Sequence, residues 1–137
     1  MSTAPQIYPT FRYRDPEKMI DWLGKAFGFT VRVRHEDNTG TIQHAEMSLG
    51  ASIVMLGGVR DDDYGRIVGE PGGNGGKSTY VAVEDADAVH ASAAAAGAKI
   101  LQPLVDRDYG SREFICADPE GTVWSFGTYW PKAGDTP

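Results

Sequence analysis

A histidine and a glutamate lie two residues apart in a predicted strand, at His44 and Glu46. Because successive side chains of a strand point to opposite faces, these two project from the same face. Histidine titrates near neutral pH and a carboxylate can orient it, so the pair could exchange protons with a bound molecule. Three interpretations remain open: a hydrogen-bonded polar pair at a wet edge, a pair that recognises a ligand, and a metal-binding or acid–base pair.

Other reactive residue types have no recognisable catalytic setting. No serine or cysteine lies in a pattern typical of an activated nucleophile, so the sequence does not support covalent catalysis. The single cysteine, Cys116, excludes an intrachain disulfide and a metal site built from several cysteines. It lies in a strand pattern, and we expect it to be a small core residue.

The first part of the chain predicts the element order strand, helix, strand, strand, strand. Asp15 and Pro16 are typical of a helix start, and Gly28 of a helix end. The alternating patterns predict strands over residues 8–13, 30–36, 42–49 and 52–56.

Residues 58–77 are rich in glycine and acidic residues and have no periodic apolar pattern. We therefore predict a mobile linker or flap there. The second part of the chain then repeats the order of the first. Asp85 begins a helix that Gly97 ends, and strands are predicted over residues 78–83, 99–105, 112–117 and 122–128. Pro103 indicates that its strand lies near a sheet edge.

The spacing of like features indicates an internal repeat. A shift of 70 places Asp15 on Asp85, and a shift of 71 places Gly50 on Gly121, before each last strand. Two copies of one βαβββ unit are therefore predicted. Each unit alone would leave one sheet face bare, so the units must pair, either within one chain or between two chains.

The overall composition limits the classes of partner. The chain has 137 residues, is 41% hydrophobic and carries a net charge of −6, which argues against a nucleic-acid partner. No apolar run approaches the ~18 residues that a membrane span needs. No basic-then-apolar leader pattern is present at the start, so we expect a cytoplasmic protein without a membrane partner.

Seven motifs distinguish the sequence: Tyr13-Arg14-Asp15, His44-Ala45-Glu46-Met47, Gly50, Met55-Leu56-Gly57, Val83-Glu84-Asp85-Ala86-Asp87, Tyr109-Gly110-Ser111-Arg112-Glu113 and Asp118-Pro119-Glu120-Gly121. Together with the paired units they resemble the vicinal oxygen chelate superfamily, which contains glyoxalase I, bleomycin resistance proteins and extradiol dioxygenases. The resemblance covers roughly residues 7–129 and points to the glyoxalase-like, bleomycin-resistance-like branch.

The resemblance implies an α+β fold in which two βαβββ modules form a curved mixed sheet around a cleft. It further implies a single domain over residues 1–137, with module one at about 7–57, a linker at 58–77 and module two at about 78–129.

In metal-dependent members of this superfamily, His, Glu or Gln side chains on the first and last strands of each module hold one divalent ion. The resemblance places these ligand positions at Tyr8, Val54, Ser78 and Ser125. Hydroxyl and valine side chains do not replace imidazole and carboxylate at a tightly held divalent ion. We therefore expect no metal and no other cofactor. The alternative is one divalent ion held by displaced ligands.

If these positions face the cleft, strand alternation assigns further side chains to it. The predicted ligand-binding residues are Tyr8, Thr10, Arg12, His44, Glu46, Ser78, Tyr80, Tyr109 and Ser125. The residues predicted to face the core instead are Phe11, Tyr13, Ala45, Met47, Leu49, Trp124 and Phe126. Aromatic surface with a few polar groups is the usual composition of a small-molecule site.

The leading hypothesis is a metal-independent small-molecule-binding protein that resembles bleomycin-type antibiotic resistance proteins, which sequester their ligand. An aromatic or cationic ligand would suit Tyr8, Tyr80 and the acidic balance. One alternative is an enzyme, a lyase, isomerase or dioxygenase of the same superfamily, with His44 and Glu46 as catalytic candidates or with displaced metal ligands. Another is a dimeric scaffold with a vestigial cleft. Relatives with this layout usually dimerise, so we expect a homodimer.

Overall fold

The computed structural model describes residues 4–134. Its elements, in chain order, are β1 (Thr10–Tyr13), α1 (Pro16–Phe27), β2 (Thr30–Glu36), β3 (Ile42–Leu49), β4 (Ser52–Gly58), α2 (Asp63–Val68), β5 (Thr79–Ala82), α3 (Ala86–Ala95), β6 (Lys99–Asp106), β7 (Arg112–Ala117) and β8 (Val123–Gly127).

The described residues divide after Gly73 into two units, and each unit has its own four-stranded mixed sheet. The strand order is β1-β4-β3-β2 in the first sheet and β5-β8-β7-β6 in the second. In each sheet the first strand runs parallel to the last, and the other neighbours are antiparallel. The prediction of an α+β fold with two similar βαβββ modules is confirmed.

The predicted starts of both long helices are confirmed by their capping bonds. The Asp15 carboxylate accepts a hydrogen bond from the backbone N–H of Lys18 at 3.1 Å, and Asp85 accepts one from Ala88 at 3.0 Å. These bonds satisfy amide groups that have no partner inside the helix. Gly28 ends α1 in the left-handed conformation, at φ 85°, which glycine adopts without a steric cost.

Within the predicted linker at 58–77, residues 63–68 form the helix α2, which the sequence pattern did not predict. The Asp62 side chain caps this helix by accepting a hydrogen bond from the N–H of Gly65 at 2.8 Å. None of the residues of α2 is buried, so the sequence carries no apolar stripe that would have revealed the helix.

On β3, burial alternates as predicted. Ala45 and Met47 are buried, whereas their neighbours His44 and Glu46 are partly exposed. The core of each unit includes large side chains with almost no exposure: Tyr13 and Met47 in the first unit, and Trp124, Phe114 and Phe126 in the second. Cys116 is a core residue, and burial raises the pKa of its thiol to about 12, so it remains protonated at neutral pH.

One residue assignment is corrected by the strand register. Val54 was expected at a ligand position in the cleft, but it is buried and pairs with Met47 on the core face. Met55 instead pairs with Thr10, as Ser125 pairs with Tyr80 in the second sheet. Each residue of the second pair follows its counterpart by 70 positions. The strands therefore repeat at a spacing of 70, whereas the turn glycines are 71 apart. Counting from the glycine placed the ligand position one residue too early, at Val54, which lies on the other face of the strand.

Each sheet ends in a strand with an irregular edge. The exposed strand β2 ends the first sheet, and its pairing with β3 shifts register between Val31 and Val33. The strand β6 ends the second sheet and contains Pro103, so the predicted edge position is confirmed. Within residues 4–134, no helix is long and apolar enough to cross a membrane.

Candidate functional site

The first unit contains a pocket of about 230 Å³. It is formed by β1, β3 and β4, by the segment that follows β4, and by the start of α2. Its lining includes Thr10, Arg12, His44, Met55, Arg60 and Tyr64. Three of these, Thr10, Arg12 and His44, belong to the ligand-binding residues predicted from the sequence, and the structure brings them together.

Arg12 is held in place from two sides. Its Nη1 and Nη2 donate to the two carboxylate oxygens of Asp62 at 3.2 and 3.0 Å. Its guanidinium carbon lies 4.8 Å from the centre of the Tyr64 ring, a distance typical of a cation–π contact. The Arg12 side chain is only 10% exposed, so neighbouring residues restrict its position.

The same contacts attach α2 to β1. The Tyr64 hydroxyl lies 3.2 Å from the Thr10 hydroxyl, within hydrogen-bonding distance. The hydrogen bond from Arg12, supported by that from the Gly65 amide, lowers the pKa of the Asp62 carboxyl to about 2. Asp62 is therefore ionised at neutral pH and pairs with Arg12 as a full charge.

His44 and Glu46 form the pair expected from their spacing. Nε2 of His44 lies 2.9 Å from Oε2 of Glu46, and Nε of Arg32 lies 3.2 Å from Oε1 of the same carboxylate. The hydrogen bond with His44 lowers the pKa of Glu46, as does the charge of Arg32, whereas partial burial opposes both. Glu46 therefore stays ionised and orients an imidazole that lines the pocket.

Gly57 lets two backbone segments approach each other beside the pocket. A Cβ at this position would lie 2.3 Å from the carbonyl oxygen of Gln43, which is far inside van der Waals contact. Gly57 also pairs with Arg12 in the β1–β4 register. Any larger residue would therefore push β3 and β4 apart where they border the pocket.

The remaining predicted residues of the first unit do not line this pocket. Tyr8 precedes β1, and its hydroxyl donates to the carbonyl oxygen of Pro5 at 2.6 Å. Glu46 does not line the pocket itself but contacts His44, which does. Lining residues that the sequence interpretation did not assign to the site are Gln43, Met55, Leu56, Gly57, Arg60, Tyr64 and Phe11, which was expected to face the core. Asp62, which holds Arg12, was not assigned to the site either.

In the second unit, Tyr80 and Ser125 are paired neighbours on β5 and β8, and Ser78 precedes β5. The Tyr80 hydroxyl donates to the carbonyl oxygen of Tyr129 at 2.7 Å. The Tyr109 hydroxyl donates to Glu113 at 2.8 Å. The structure thus places Tyr80 beside Ser125 and links Tyr109 to Glu113, which was not among the predicted ligand-binding residues.

Glu113 is the centre of a hydrogen-bonded cluster in the second unit. Burial raises the pKa of its carboxyl, but hydrogen bonds from Tyr109, Ser111 and Arg107 outweigh that effect, and the pKa is lowered overall. Beside the cluster, a Cβ on Gly127 would lie 2.6 Å from the Tyr80 hydroxyl. These polar groups are satisfied by one another.

The donor set does not fit a resident divalent ion. Among residues 4–134, no three His, Cys, Asp or Glu side chains are grouped so that they could hold a metal ion. The positions implied by the family pattern, with Met55 in the place first given to Val54, carry a thioether and three hydroxyls. Divalent ions in such proteins prefer imidazole and carboxylate.

A family profile and two known proteins match most of this chain in sequence. A sequence profile of the Glyoxalase/Bleomycin resistance protein/Dioxygenase superfamily matches residues 7–126. Uncharacterized protein Mb0911c of Mycobacterium bovis is 30% identical over 133 residues, which cover 93% of this chain and 85% of that protein. Uncharacterized protein Rv0887c of Mycobacterium tuberculosis is also 30% identical over 133 residues, covering 93% of this chain and 76% of its own.

Solved structures agree with the sequence comparison. The crystal structure of TioX from Micromonospora sp. ML1 is 35% identical with a TM-score of 0.70, covering 88% of this chain and 97% of TioX. A glyoxalase/bleomycin resistance protein/dioxygenase family enzyme from Burkholderia phytofirmans PsJN is 18% identical with a TM-score of 0.68, covering 88% and 94%, and shows the fold alone. The chain belongs to the glyoxalase/bleomycin resistance protein/dioxygenase superfamily.

Proposed function

We propose that this protein binds a small molecule without a metal ion and sequesters it, as a homodimer, rather than converting it. The observation that carries the proposal is that the polar side chains of the pocket already hold one another. Arg12 is bound by Asp62, Tyr64 by Thr10, and His44 by Glu46. Such a pocket is organised before a ligand arrives, which reduces the entropy lost on binding.

The size of the pocket limits the ligand, or the part of it that enters. Its volume of about 230 Å³ is below the roughly 300–1,000 Å³ of a typical drug-sized site. One planar ring system fits, and a larger ligand would leave the rest of its structure outside. The rings of Tyr64 and His44 offer surfaces on which an aromatic group can stack.

A second candidate function is proton transfer by a lyase or isomerase of the same superfamily. The observation in its favour is that His44 lines the pocket and is oriented by ionised Glu46 at 2.9 Å. A histidine held in this way can act as a general acid or base. Turnover that His44→Gln abolishes while the variant still binds the substrate would select this function over sequestration.

Binding can be tested with 2-naphthol, a neutral planar aromatic probe, by following the backbone amide signals of Arg12 and Gly57 in a nitrogen-15 NMR titration. We expect saturable shifts at these amides that Tyr64→Ala weakens several-fold. The matched control is Ile67→Ala, because Ile67 lies on the same helix, is 81% exposed and does not line the pocket. Equal binding by Tyr64→Ala and Ile67→Ala would refute a small-molecule site here. The absence of a saturable shift in the unmodified protein would do so as well, if smaller aromatic probes of each charge also fail to bind.

A further inference from the structure

The charges that line the pocket have the opposite sign to the whole chain. The chain carries a net charge of −6, yet the titratable side chains that border the cavity are Arg12, Arg60, His44 and Tyr64. Within the described lining there is no aspartate or glutamate. Surface carboxylates farther away than the Debye length, about 10 Å at 0.1 M salt, are largely screened. The charged side chains that a bound ligand would contact directly are therefore the two arginines.

The two arginines differ in how fully their donors are used. Arg12 gives two N–H groups to Asp62 and rests its face on Tyr64. The ion pair of Arg60 with Asp62 is long, 3.6 Å from Nε to Oδ2, which exceeds normal hydrogen-bond length. Within residues 4–134, no hydrogen-bond partner is found for its two Nη groups, and its side chain is 35% exposed.

Asp62 cannot satisfy both arginines equally. Its Oδ1 accepts from Arg12 and from the Gly65 amide, and its Oδ2 accepts from Arg12. One carboxylate charge thus faces two guanidinium charges, and Asp37 adds the charge of a second carboxylate, whose pKa Arg60 helps to lower without a hydrogen bond between the two side chains. Glu46 does not bind either arginine of the pocket, because its oxygens are bound to His44 and Arg32.

We propose that the pocket selects a planar ligand with an anionic group, such as an aromatic carboxylate, that Arg60 binds through its Nη donors. The inference rests on the proposed binding function and specifies its ligand class. A guanidinium presents its donors as a planar fork that matches the two oxygens of a carboxylate. Asp62 meanwhile keeps Arg12 fixed behind the ligand, so the incoming anion does not have to displace it. This ligand class differs from the cationic one that the overall acidity had suggested.

Three probes of similar size but different charge test the proposal: benzoate is negative, benzamide is neutral and benzamidine is positive. Titrations would again follow the amide signals of Arg12 and Gly57. Because Arg60 is partly exposed, we expect benzoate to bind only about three- to tenfold more tightly than benzamide, and benzamidine to bind least. In Arg60→Gln, benzoate should lose this advantage while the neutral probe is unaffected.

The matched control is Arg66→Gln. Arg66 carries the same charge six positions later, is paired with Asp61 and Asp63 outside the pocket, and is 60% exposed. The Arg66→Gln variant loses the same amount of net charge, but from a position outside the pocket. This variant should therefore keep the preference for benzoate. A thermal melt of each variant checks that it is folded, and Arg60→Lys, which keeps the charge, should retain part of the preference if Arg60→Gln proves unstable.

The results distinguish an error in the ligand class from an error in the binding function. If the three probes bind equally, if benzamidine binds best, or if Arg60→Gln keeps the preference for benzoate, the anionic ligand is refuted while small-molecule binding stands. If neither 2-naphthol nor any of the three probes shifts the pocket amides, both the ligand class and the binding function are refuted.

Discussion

Asp62 binds the guanidinium of Arg12 with both carboxylate oxygens, across fifty positions of sequence. The same carboxylate caps α2 through the amide of Gly65. Because no residue of α2 is buried, this helix lacks the apolar packing that stabilises most short helices. The Asp62 side chain therefore links the wall of the pocket to the first strand of the sheet, together with the contact between the Tyr64 and Thr10 hydroxyls.

This link predicts a response to acid that is local to α2. The pKa of Asp62 is lowered from its ordinary 3.8 to about 2, so the stabilisation is complete above pH 4 and is lost as the pH falls towards 2. We expect the amide signals of α2 to move towards random-coil positions in that interval. Asp62→Asn can still cap the helix but cannot titrate, so its α2 signals should not follow this profile. The same profile in both proteins would show that another group is responsible.

Gly57→Ala should destabilise the first unit and distort the pocket. The new methyl group would lie 2.3 Å from the Gln43 carbonyl oxygen, and backbone must move to relieve the overlap. Overpacking of this kind typically costs about 1–3 kcal/mol, which urea unfolding can measure. Gly73→Ala is the matched control, because its Cβ would meet its nearest neighbour, the Glu70 carbonyl oxygen, at an ordinary 3.5 Å. Equal stability of the two variants would contradict the packing argument.

Trp124 and Tyr80 should respond oppositely to truncation, although they come from paired strands. Trp124 has 0% exposure and donates from Nε1 to Asp118 at 3.1 Å, whereas Tyr80 is 40% exposed. Trp124→Ala should lower the free energy of unfolding by about 3–5 kcal/mol, and Tyr80→Ala by much less. Urea melts of both variants provide the measurement. A larger loss in Tyr80→Ala would mean that the two faces of the second sheet have been interchanged.

The purified protein should contain no stoichiometric divalent metal ion. Hydroxyl and thioether groups at Tyr8, Met55, Ser78 and Ser125 are poor ligands for such ions. Elemental analysis after purification without chelators would measure zinc, nickel, manganese and iron. One equivalent of any of these per chain would overturn the prediction, and His44 and Glu46 would then be the first ligands to test by substitution.

We also expect a homodimer in solution, because relatives with this layout usually dimerise. Light scattering at micromolar concentration should give about twice the chain mass of 14.8 kDa. A particle with the mass of one chain would refute this expectation.

The sequence predicted those parts of the fold that depend on local interactions. Asp15 and Asp85 cap helices through amides three residues away, so the relevant contacts lie within one turn of chain. The strand faces followed from alternation, as shown by buried Ala45 and Met47 beside half-exposed Glu46. The pairing of His44 with Glu46 also follows from alternation, because residues two apart on a strand share a face.

The candidate site was only partly predictable because several of its contacts are long-range. Tyr64, Asp62 and Arg60 lie in a segment without apolar periodicity, and partners on β1 hold the first two of them. Nothing in the local sequence specifies those partners. The error at Val54 has a different origin, because the turn glycines of the two hairpins are offset by one residue from the strand register, and a one-residue slip reverses every face.

The terminal strands of the two sheets bear on how the protein resists aggregation. An open strand edge can pair with another molecule and begin a fibril. Strand β2 places Arg32, Arg34 and Glu36 along such an edge, and the two arginines are held by ion pairs with Glu46 and with Glu17 and Glu36, respectively. Strand β6 uses Pro103, which has no N–H to donate to an incoming strand. One edge thus carries charged side chains that a further strand would have to bury, and the other edge interrupts the hydrogen-bond ladder.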